Sequence, residues 1–315
     1  GAISSYLMGD AVTQFSLVIG VFLSAMGVGS YFTKFITKNL LHWFVSLELW
    51  IALVGGTSSL VMFSVGAFFE DIFGVVFYSI CFLIGMLVGA EIPLLIRILQ
   101  EKDGLTEALS NVLALDYIGA LVGSILFPIF ILPWIGISRA SVVFGLLNLF
   151  VAWIGIGLIK EKFRGKLLRH SLLVCVTLLS LFVYSNRMVL FLEDIMYQDT
   201  IVYAEDTPYQ RIIMTRWRSD LRMYLNGHIQ FSSTDEVRYH ESLVHPAVIS
   251  AFQPVKNVLV LGGGDGLAVR ELLKYQSIEK IDFTDIQRST HPEHKADQLA
   301  KFYTIIQRWS SLWTV

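Results

Sequence analysis

Residues 257–274, which read NVLVLGGGDGLAVRELLK, decide the fold of the carboxy-terminal part of this chain. The run 258–261 is short, apolar and rich in β-branched residues, which predicts a buried parallel strand. Four glycines follow at once: Gly262, Gly263, Gly264 and Gly266. Apolar residues then recur at helical spacing over 267–273. A strand, a glycine turn and a helix predict the opening of a nucleotide-binding βαβ unit, because glycine lets a ligand approach the backbone.

Two acidic residues indicate what kind of ligand this unit binds. Asp285 follows the apolar positions Ile281 and Phe283, so it lies at the end of the next predicted strand, where an acid binds ribose hydroxyls. Asp265 lies inside the glycine turn, where a carboxylate repels phosphate and attracts cations. The pattern therefore favours a cationic adenosyl compound over a dinucleotide.

Composition divides the chain into two halves. It has 315 residues, of which 54% are hydrophobic and 16% charged, whereas soluble domains average about 25% charged residues. Residues 9–186 are apolar runs broken by short polar loops, and residues 200–315 resemble a soluble α/β domain. The net charge of −2 gives no indication of a nucleic-acid partner. Cys81 and Cys175 lie in apolar runs and predict neither a disulfide framework nor a metal site.

The apolar half contains six segments near the length of about 20 residues that a membrane-spanning helix needs. They are residues 12–33, 40–68, 72–96, 111–133, 139–159 and 170–186, preceded by what we expect to be the end of a further apolar helix. Closely spaced small residues predict tight helix packing: Gly27 and Gly29, Gly85 and Gly89, Gly119 and Gly123. Prolines predict kinks or helix ends: Pro93, Pro128 and Pro133.

Four acidic residues fall in or beside these segments: Asp10, Glu48, Glu91 and Asp116. A carboxylate at mid-bilayer costs at least about 2.5–3.5 kcal/mol, so each must face protein or water. A structural hydrogen bond at a helix end suits Asp10. For the other three, the sequence leaves open a cation-binding cavity and a structural role.

Basic residues favour one orientation of the segments. They lie on alternate loops: Lys34, Lys38, Arg97, Lys102, Lys160, Lys162, Arg164, Lys166 and Arg169. The positive-inside rule makes those loops cytoplasmic, so that a sixth crossing carries residues 200–315 to the other side, where an adenosyl ligand is not expected. Three explanations stay open: residues 170–186 do not cross, another segment is misassigned, or the domain is outside.

The following region predicts a small β-unit over 200–253. A short interfacial helix is expected within a linker, 187–199. Strands are expected around 201–203 and 212–214, and a hairpin over 221–230 with Asn226-Gly227 as its turn. A helix over 236–252 precedes the nucleotide-binding unit, 254–315.

At this point the soluble half resembles spermidine synthase, of the polyamine aminopropyltransferase family. The motifs are TPYQR at 207–211, LNGHIQ at 225–230, DEVRYHESLVHP at 235–246, LGGGDG at 261–266 and IEKIDFTD at 278–285. The apolar half is similar to the membrane domain fused to such synthases in bacteria and archaea, at QFSLVIG (14–20), GAEIP (89–93) and LDYIG (115–119).

The resemblance implies a multi-pass α-helical membrane domain over 1–186, followed by the β-unit and a partial Rossmann-like α/β domain of the S-adenosylmethionine-dependent transferase type. It implies a cell-membrane enzyme that transfers an aminopropyl group from decarboxylated S-adenosylmethionine, as co-substrate, to putrescine or a related diamine. Methylthioadenosine is the second product. No metal and no nucleic acid are expected, and a homo-oligomer is compatible with the sequence.

The resemblance also assigns roles to individual residues. It implies that the adenosyl compound binds at Gln210, Gln230, Gly262, Gly264 and Asp285, and the amine at Tyr239, His240 and Asp265. The alternatives are that Gln210, Gln230 and Tyr239 are ordinary surface residues and that His240 is a hydrogen-bonded core histidine. His245 is interpreted as structural.

Beyond Ile286 the sequence departs from the family. Gln287 stands where an acid is usual, and the family's adenine-binding acid and general-base Asp have no counterpart in 288–315. The catalytic residue is therefore not identified. We expect that the chain is incomplete at its carboxy terminus or out of frame after about residue 287, and that residues 1–315 alone are inactive.

Two other functions compete with this prediction. A class I S-adenosylmethionine methyltransferase would share the glycine turn but would not need the motifs around Tyr209-Gln210 and Tyr239-His240-Glu241. A non-catalytic membrane protein would bind or move polyamines and use the synthase-like half as a sensor.

Overall fold

The computed structural model describes residues 11–159, 161–197, 199–206, 211–262 and 266–284. The chain divides into two compact units. The first runs to Trp217 and also contains Tyr224–His228, and the second contains Arg218–Met223 and the chain from Ile229 onward.

The first unit is built largely from six helices. They are α1 (Ala11–Phe32), α2 (Leu40–Phe68), α3 (Phe73–Asp103), α4 (Leu105–Leu126), α5 (Leu132–Leu158) and α6 (Glu161–Tyr197). Short 3-10 turns follow α1 and α2, and a π-helical turn, Phe127–Ile131, joins α4 to α5. By length and composition, each of six helical segments in the described chain is able to cross a membrane. The six predicted apolar helices are therefore confirmed as helices.

Several helix ends differ from the prediction. Helix α4 begins at Leu105, directly after Gly104 at φ 79°, because this glycine ends α3 without a longer loop. Pro93 lies inside α3, and Pro128 lies in the π-helical turn. The backbone bends within α5 at Gly136, whose φ is 75°.

Helix α6 is the largest correction to the prediction. Residues 187–197, expected as a separate interfacial helix, continue the same 37-residue helix without a break. The physical reason is that no glycine or proline occurs between Gly165 and Tyr197 to interrupt the backbone hydrogen bonds. The two compact units divide near Trp217, and the predicted domain boundaries at 186 and 200 stay a prediction.

Small residues bring α1 and α3 together. A Cβ added to Gly85 would lie 2.8 Å from the carbonyl oxygen of Phe22, and one added to Gly89 would lie 2.6 Å from the carbonyl carbon of Met26. Gly29 is equally close to the backbone of Met86. The predicted close packing is confirmed here. It is wrong for Gly27, Gly119 and Gly123, where a Cβ would meet no described atom within 4 Å.

A second tight contact joins α2 to α5. A Cβ on Gly145 would lie 2.7 Å from the carbonyl oxygen of Ala52. The fully buried Ser59 hydroxyl is 2.8 Å from that of Ser141 and donates to the carbonyl of Ser138 at 3.2 Å. Between apolar helices, small residues and hydroxyl hydrogen bonds supply the attraction that apolar side chains alone do not.

We expect Gly89→Ala to destabilise the helical unit by about 1–3 kcal/mol, because its Cβ forces the backbones of α1 and α3 apart. Gly119→Ala is the matched control and should be neutral or slightly stabilising, since alanine favours a helix by up to about 1 kcal/mol over glycine. Thermal unfolding of both variants in the same detergent measures the difference. Equal stability of the two would contradict the packing.

The chain then forms strands β1 (Thr200–Asp206), β2 (Arg211–Trp217), β3 (Asp220–Leu225) and β4 (His228–Ser232), which follow in this order in one sheet. β1 and β2 are antiparallel, with Ala204 opposite Ile213. The predicted hairpin is confirmed: Asn226 and Gly227 have φ of 50° and 82°, the positive values that a two-residue turn of type I′ needs.

The second unit continues with α7 (Glu236–Ile249), β5 (Asn257–Leu261), α8 (Leu267–Leu272) and β6 (Lys280–Thr284). β5 and β6 are parallel, with Val258 opposite Ile281. Val244, Ala268 and Leu272 form a buried cluster against the apolar side chains of both strands. The predicted strand–turn–helix–strand unit is therefore confirmed.

Candidate functional site

The glycine turn joins β5 directly to α8. Gly262 and Gly266 have φ of 79° and 72°, which residues with a Cβ rarely adopt. A Cβ built on either would meet no described atom within 4 Å, so backbone conformation and not lack of space requires glycine. The turn leaves the end of a parallel strand, which is where ligands bind in α/β sheets of this kind.

The predicted site residues fall partly within the described chain. Gln210, Gly264, Asp265 and Asp285 lie outside the described residues. Gly262 begins the glycine turn, and Gln230 is exposed on β4. Tyr239 and His240 are neighbours on α7 with opposite environments, because their side chains are 65% and 4% exposed.

His240 is held by the preceding turn of its own helix. Its Nδ1 lies 2.9 Å from the carbonyl oxygen of Glu236 and 3.0 Å from the Oε2 of the same residue. The ring of Tyr239 stands edge-on to the imidazole, with 5.0 Å between centroids. This geometry fits the alternative of a hydrogen-bonded core histidine, while the amine-binding role of His240 and Tyr239 stays a prediction.

An ion pair between the partly exposed Arg270 and the buried Glu236 connects α7 to α8. Arg270 donates from Nη1 to Oε1 of Glu236 at 2.8 Å and from Nη2 to Oε2 at 3.0 Å. These hydrogen bonds raise the pKa of Arg270 above its ordinary value, so the guanidinium remains charged. Glu236 thereby holds both Arg270 and His240, which fixes α7 against the helix that follows the glycine turn.

Glu271 is the centre of a second group of charges, and it is only 1% exposed. It accepts hydrogen bonds from Lys274 and, at 2.9 Å, from Arg270 Nε. Burial raises the pKa of Glu271, but these hydrogen bonds lower it by more, so its pKa lies below the ordinary value. His245 contacts the same carboxylate at 3.3 Å through Nε2 and lies 2.8 Å from the Tyr275 hydroxyl through Nδ1. The structural interpretation of His245 fits this position.

Glu241, His245 and Glu271 bring ligand-type atoms within 4.8 Å of one another. Lys274 is paired with Glu271 and lies 3.7 Å from Glu241, so an ammonium already balances the two carboxylates. A metal ion would have to compete with that charge. The expectation that the protein uses no metal stays a prediction.

Asp220 organises the hairpin that carries Gln230. Ser232 and Ser233 donate to its Oδ1 at 2.7 and 3.0 Å, and Arg222 donates to its Oδ2 at 2.8 Å. Burial raises the pKa of Asp220, but these hydrogen bonds outweigh burial and hold its pKa below the usual range. A charged Asp220 therefore fixes the start of β3 to the end of β4.

In the first unit, Arg211 begins β2 directly after the TPYQR motif's glutamine. Its guanidinium donates two hydrogen bonds to the fully buried Glu193 of α6, at 2.6 Å from Nε and 2.5 Å from Nη2. Its backbone N–H donates to Oδ1 of Asn226 at 2.9 Å, and its carbonyl accepts from the N–H of Asn226 at the same distance. Arg211 is thus fixed by both its side chain and its backbone.

Sequence reasoning missed the pairs that Glu193 and Glu236 form. Both acids lie in helical stretches, where a charged residue usually indicates a solvated face. Their partners are 18 and 34 positions away in the chain. No local spacing indicates such pairs.

Comparison with protein families finds one match within this region. Residues 236–291 match the model of the spermine/spermidine synthase domain. That stretch contains α7, the glycine turn and both parallel strands of the second unit.

Curated relatives extend the similarity through the apolar half. The polyamine aminopropyltransferase of Leptospira interrogans is 48% identical over 289 residues, which are 91% of this chain and 57% of that protein. Polyamine aminopropyltransferase 2 of Ralstonia nicotianae is 42% identical over 91% of this chain and 58% of its own length. The chain thus spans a little over half the length of these relatives.

A solved spermidine synthase from Thermotoga maritima matches with 26% identity and a TM-score of 0.29, over 36% of this chain and 38% of its own. Another spermidine synthase, in complex with the transition-state analogue AdoDATO, matches with the same identity and TM-score over 36% of each chain. The family match includes every described helix and strand of the second unit from α7 onward. On these two findings, residues 236–291 match the spermine/spermidine synthase domain, and the chain is similar to polyamine aminopropyltransferases over 91% of its length.

Proposed function

We propose that the protein is a membrane-anchored polyamine aminopropyltransferase that transfers an aminopropyl group from decarboxylated S-adenosylmethionine to putrescine or a related diamine. The observation that carries the proposal is the family match over 236–291, which coincides with a strand–glycine turn–helix–strand unit. The relatives named polyamine aminopropyltransferase support the same reaction class.

The reaction requires positioning more than covalent help from the protein. An amine nitrogen of the acceptor attacks the methylene carbon next to the sulfonium, the C–S bond breaks, and methylthioadenosine leaves with the electron pair. The attacking nitrogen loses its proton to a general base. Because the sulfonium is already a good leaving group, the gain comes from holding carbon, sulfur and nitrogen in line.

Different residues of this chain would bind the adenosyl compound and the amine. Gly262 would let the adenosyl compound approach the backbone, and Asp285 would accept hydrogen bonds from its ribose. Gln210 and Gln230 would contact the same ligand. Asp265 would hold an ammonium by a charge-assisted hydrogen bond, the stronger kind. Tyr239 is exposed on α7, and its side chain would line the amine site. His240 is buried and would contribute less to that surface.

The membrane placement is part of the proposal. Six helical segments of the described chain have the length and composition of membrane spans, and large apolar side chains on their outer faces are exposed. If all six cross, β1 emerges on the side where α1 begins, opposite the basic loops. That arrangement conflicts with the positive-inside rule, so reporter fusions after residues 38 and 199 are the measurement that assigns the side.

Ligand binding tests the function directly. We expect the protein, continued to the full length of its relatives, to bind methylthioadenosine and decarboxylated S-adenosylmethionine in calorimetry and to show no heat with NAD. Asp265→Asn should weaken binding of the cationic ligand more than binding of uncharged methylthioadenosine, because it removes a negative charge that attracts only the cationic ligand. Binding of NAD without binding of either adenosyl thioether compound would overturn the proposal.

A further inference from the structure

Three acidic residues of the helical unit have no role in the reaction proposed above. Glu48 lies on α2, Glu91 on α3 and Asp116 on α4. Each interrupts an apolar helix, and acidic residues at such positions mark binding or transport sites by default because they are costly to bury.

The three acids lie at similar depths in the helical unit. The start of α2, the end of α3 and the start of α4 share one side if consecutive helices cross in alternation. With a rise of about 1.5 Å per residue, Glu48 is about 12 Å from that side, Glu91 about 18 Å and Asp116 about 16 Å. Helix α3, which carries Glu91, packs against both α2 and α4, which carry Glu48 and Asp116. The three carboxyl groups therefore lie on adjacent helices at similar depths.

Their burial falls from one helix to the next. Glu48 is 5% exposed, and its Oε2 is buried without a hydrogen-bond partner. Glu91 is half-buried, and Asp116 is exposed on α4, so within the described chain protein does not cover Asp116. A buried carboxylate oxygen that lacks a donor is a strong acceptor for a cation that enters from outside the chain.

The arrangement indicates the kind of cation. In the described chain, these three carboxylates are not among the groups whose ligand atoms come within 4.8 Å of one another, so they do not form a compact metal shell. Separated carboxylates suit several ammonium groups on one flexible chain better than a single ion.

We propose that Glu48, Glu91 and Asp116 form a second binding site, in the helical unit, for an alkyl polyammonium ion such as a diamine or polyamine. Glu48 would hold one ammonium in the interior of the unit, and Glu91 and Asp116 would hold the next towards its surface. The site consists of residues of the first unit alone and does not depend on aminopropyl transfer.

Equilibrium dialysis of labelled spermidine against the full-length protein in lipid nanodiscs tests the proposal. The background variant Asp265→Asn reduces binding at the synthase-like half. In that background we expect Glu48→Gln and Glu91→Gln each to weaken spermidine binding at least about tenfold, the loss of one charge-assisted contact. Glu101→Gln, an exposed acid on the same helix as Glu91, is the matched control and should leave binding unchanged.

Competition identifies the ligand class. We expect putrescine and spermidine to displace the label, and propylamine, with one charge, to require at least about tenfold higher concentration. Displacement by Mg²⁺ at lower concentration than by putrescine would overturn the proposal in favour of a metal site. Equal binding by Glu91→Gln and Glu101→Gln, with both eluting as folded protein, would also overturn it. Neither outcome alters methylthioadenosine binding, so failure here is distinct from failure of the proposed enzyme activity.

Discussion

Replacing Arg211 by methionine is expected to lower the free energy of unfolding of the first unit by about 3–5 kcal/mol, the usual cost of removing one partner from a buried ion pair. The cost arises because Glu193 stays behind as a fully buried carboxylate, and two hydrogen bonds of 2.6 and 2.5 Å disappear with the guanidinium. Denaturant unfolding in detergent micelles, followed by tryptophan fluorescence, measures the change.

The double variant Glu193→Leu/Arg211→Met distinguishes two causes of a loss of stability: the unpaired charge on Glu193 and poor packing of the new methionine. Removing both charges leaves two apolar side chains of suitable size, which often restores most of the stability. The stability of Arg211→Lys should lie between that of Arg211→Met and that of the double variant, because an ammonium cannot donate to both carboxylate oxygens as the planar guanidinium does. A single variant as stable as the double variant would show that water reaches Glu193 and that the pair contributes little.

Residues 1–315 alone are expected to release no methylthioadenosine detectable above the uncatalysed rate from decarboxylated S-adenosylmethionine and putrescine. The same chain, continued by the carboxy-terminal part of its 48% identical Leptospira relative, should release methylthioadenosine from these substrates. A free diamine is protonated at neutral pH, since alkyl ammonium groups titrate near about 10.4, and loss of a general base costs about 10²–10⁴ in rate.

The two proteins should be assayed side by side at equal concentration, with methylthioadenosine quantified by chromatography. A third sample carrying Asp265→Asn in the longer chain controls for turnover by contaminating synthases. Comparable rates for the short and long chains would mean that a base already lies within residues 1–315. Glu241, Asp282 and Asp285 would then be the candidates for replacement by amides.

Local patterns predicted those elements whose structure depends on neighbours in the chain. The alternation in 221–230 and its Asn226-Gly227 turn are enough for a hairpin, because few residues other than these adopt two consecutive positive φ values. The apolar strand before Gly262 likewise predicted β5, and the long apolar runs predicted six helices. In each case the signal and the structure lie within a few residues of each other.

Features that depend on distant contacts were not predictable. Nothing near Glu236 in the sequence indicates that Arg270 is its partner, and nothing near Glu193 indicates Arg211. The small-residue pairs illustrate the same limit. Gly89 and Gly119 look alike in sequence, yet Gly89 contacts the backbone of Met26 and Gly119 faces open space. Which face of a helix meets a neighbour is decided by the whole bundle.

Helix α6 ends two residues before β1, and Glu193 near its end holds β2. Because an α-helix turns by about 100° per residue, this connection has an angular phase as well as a length. Deleting a single residue between Leu172 and Leu190 would rotate the strands that follow by about 100° around the helix axis and move them along it by only about 1.5 Å. Inserting or deleting seven residues, about two full turns, would nearly restore their direction. We therefore expect this helix to tolerate insertions or deletions that are close to whole helical turns, and to tolerate other changes of length poorly.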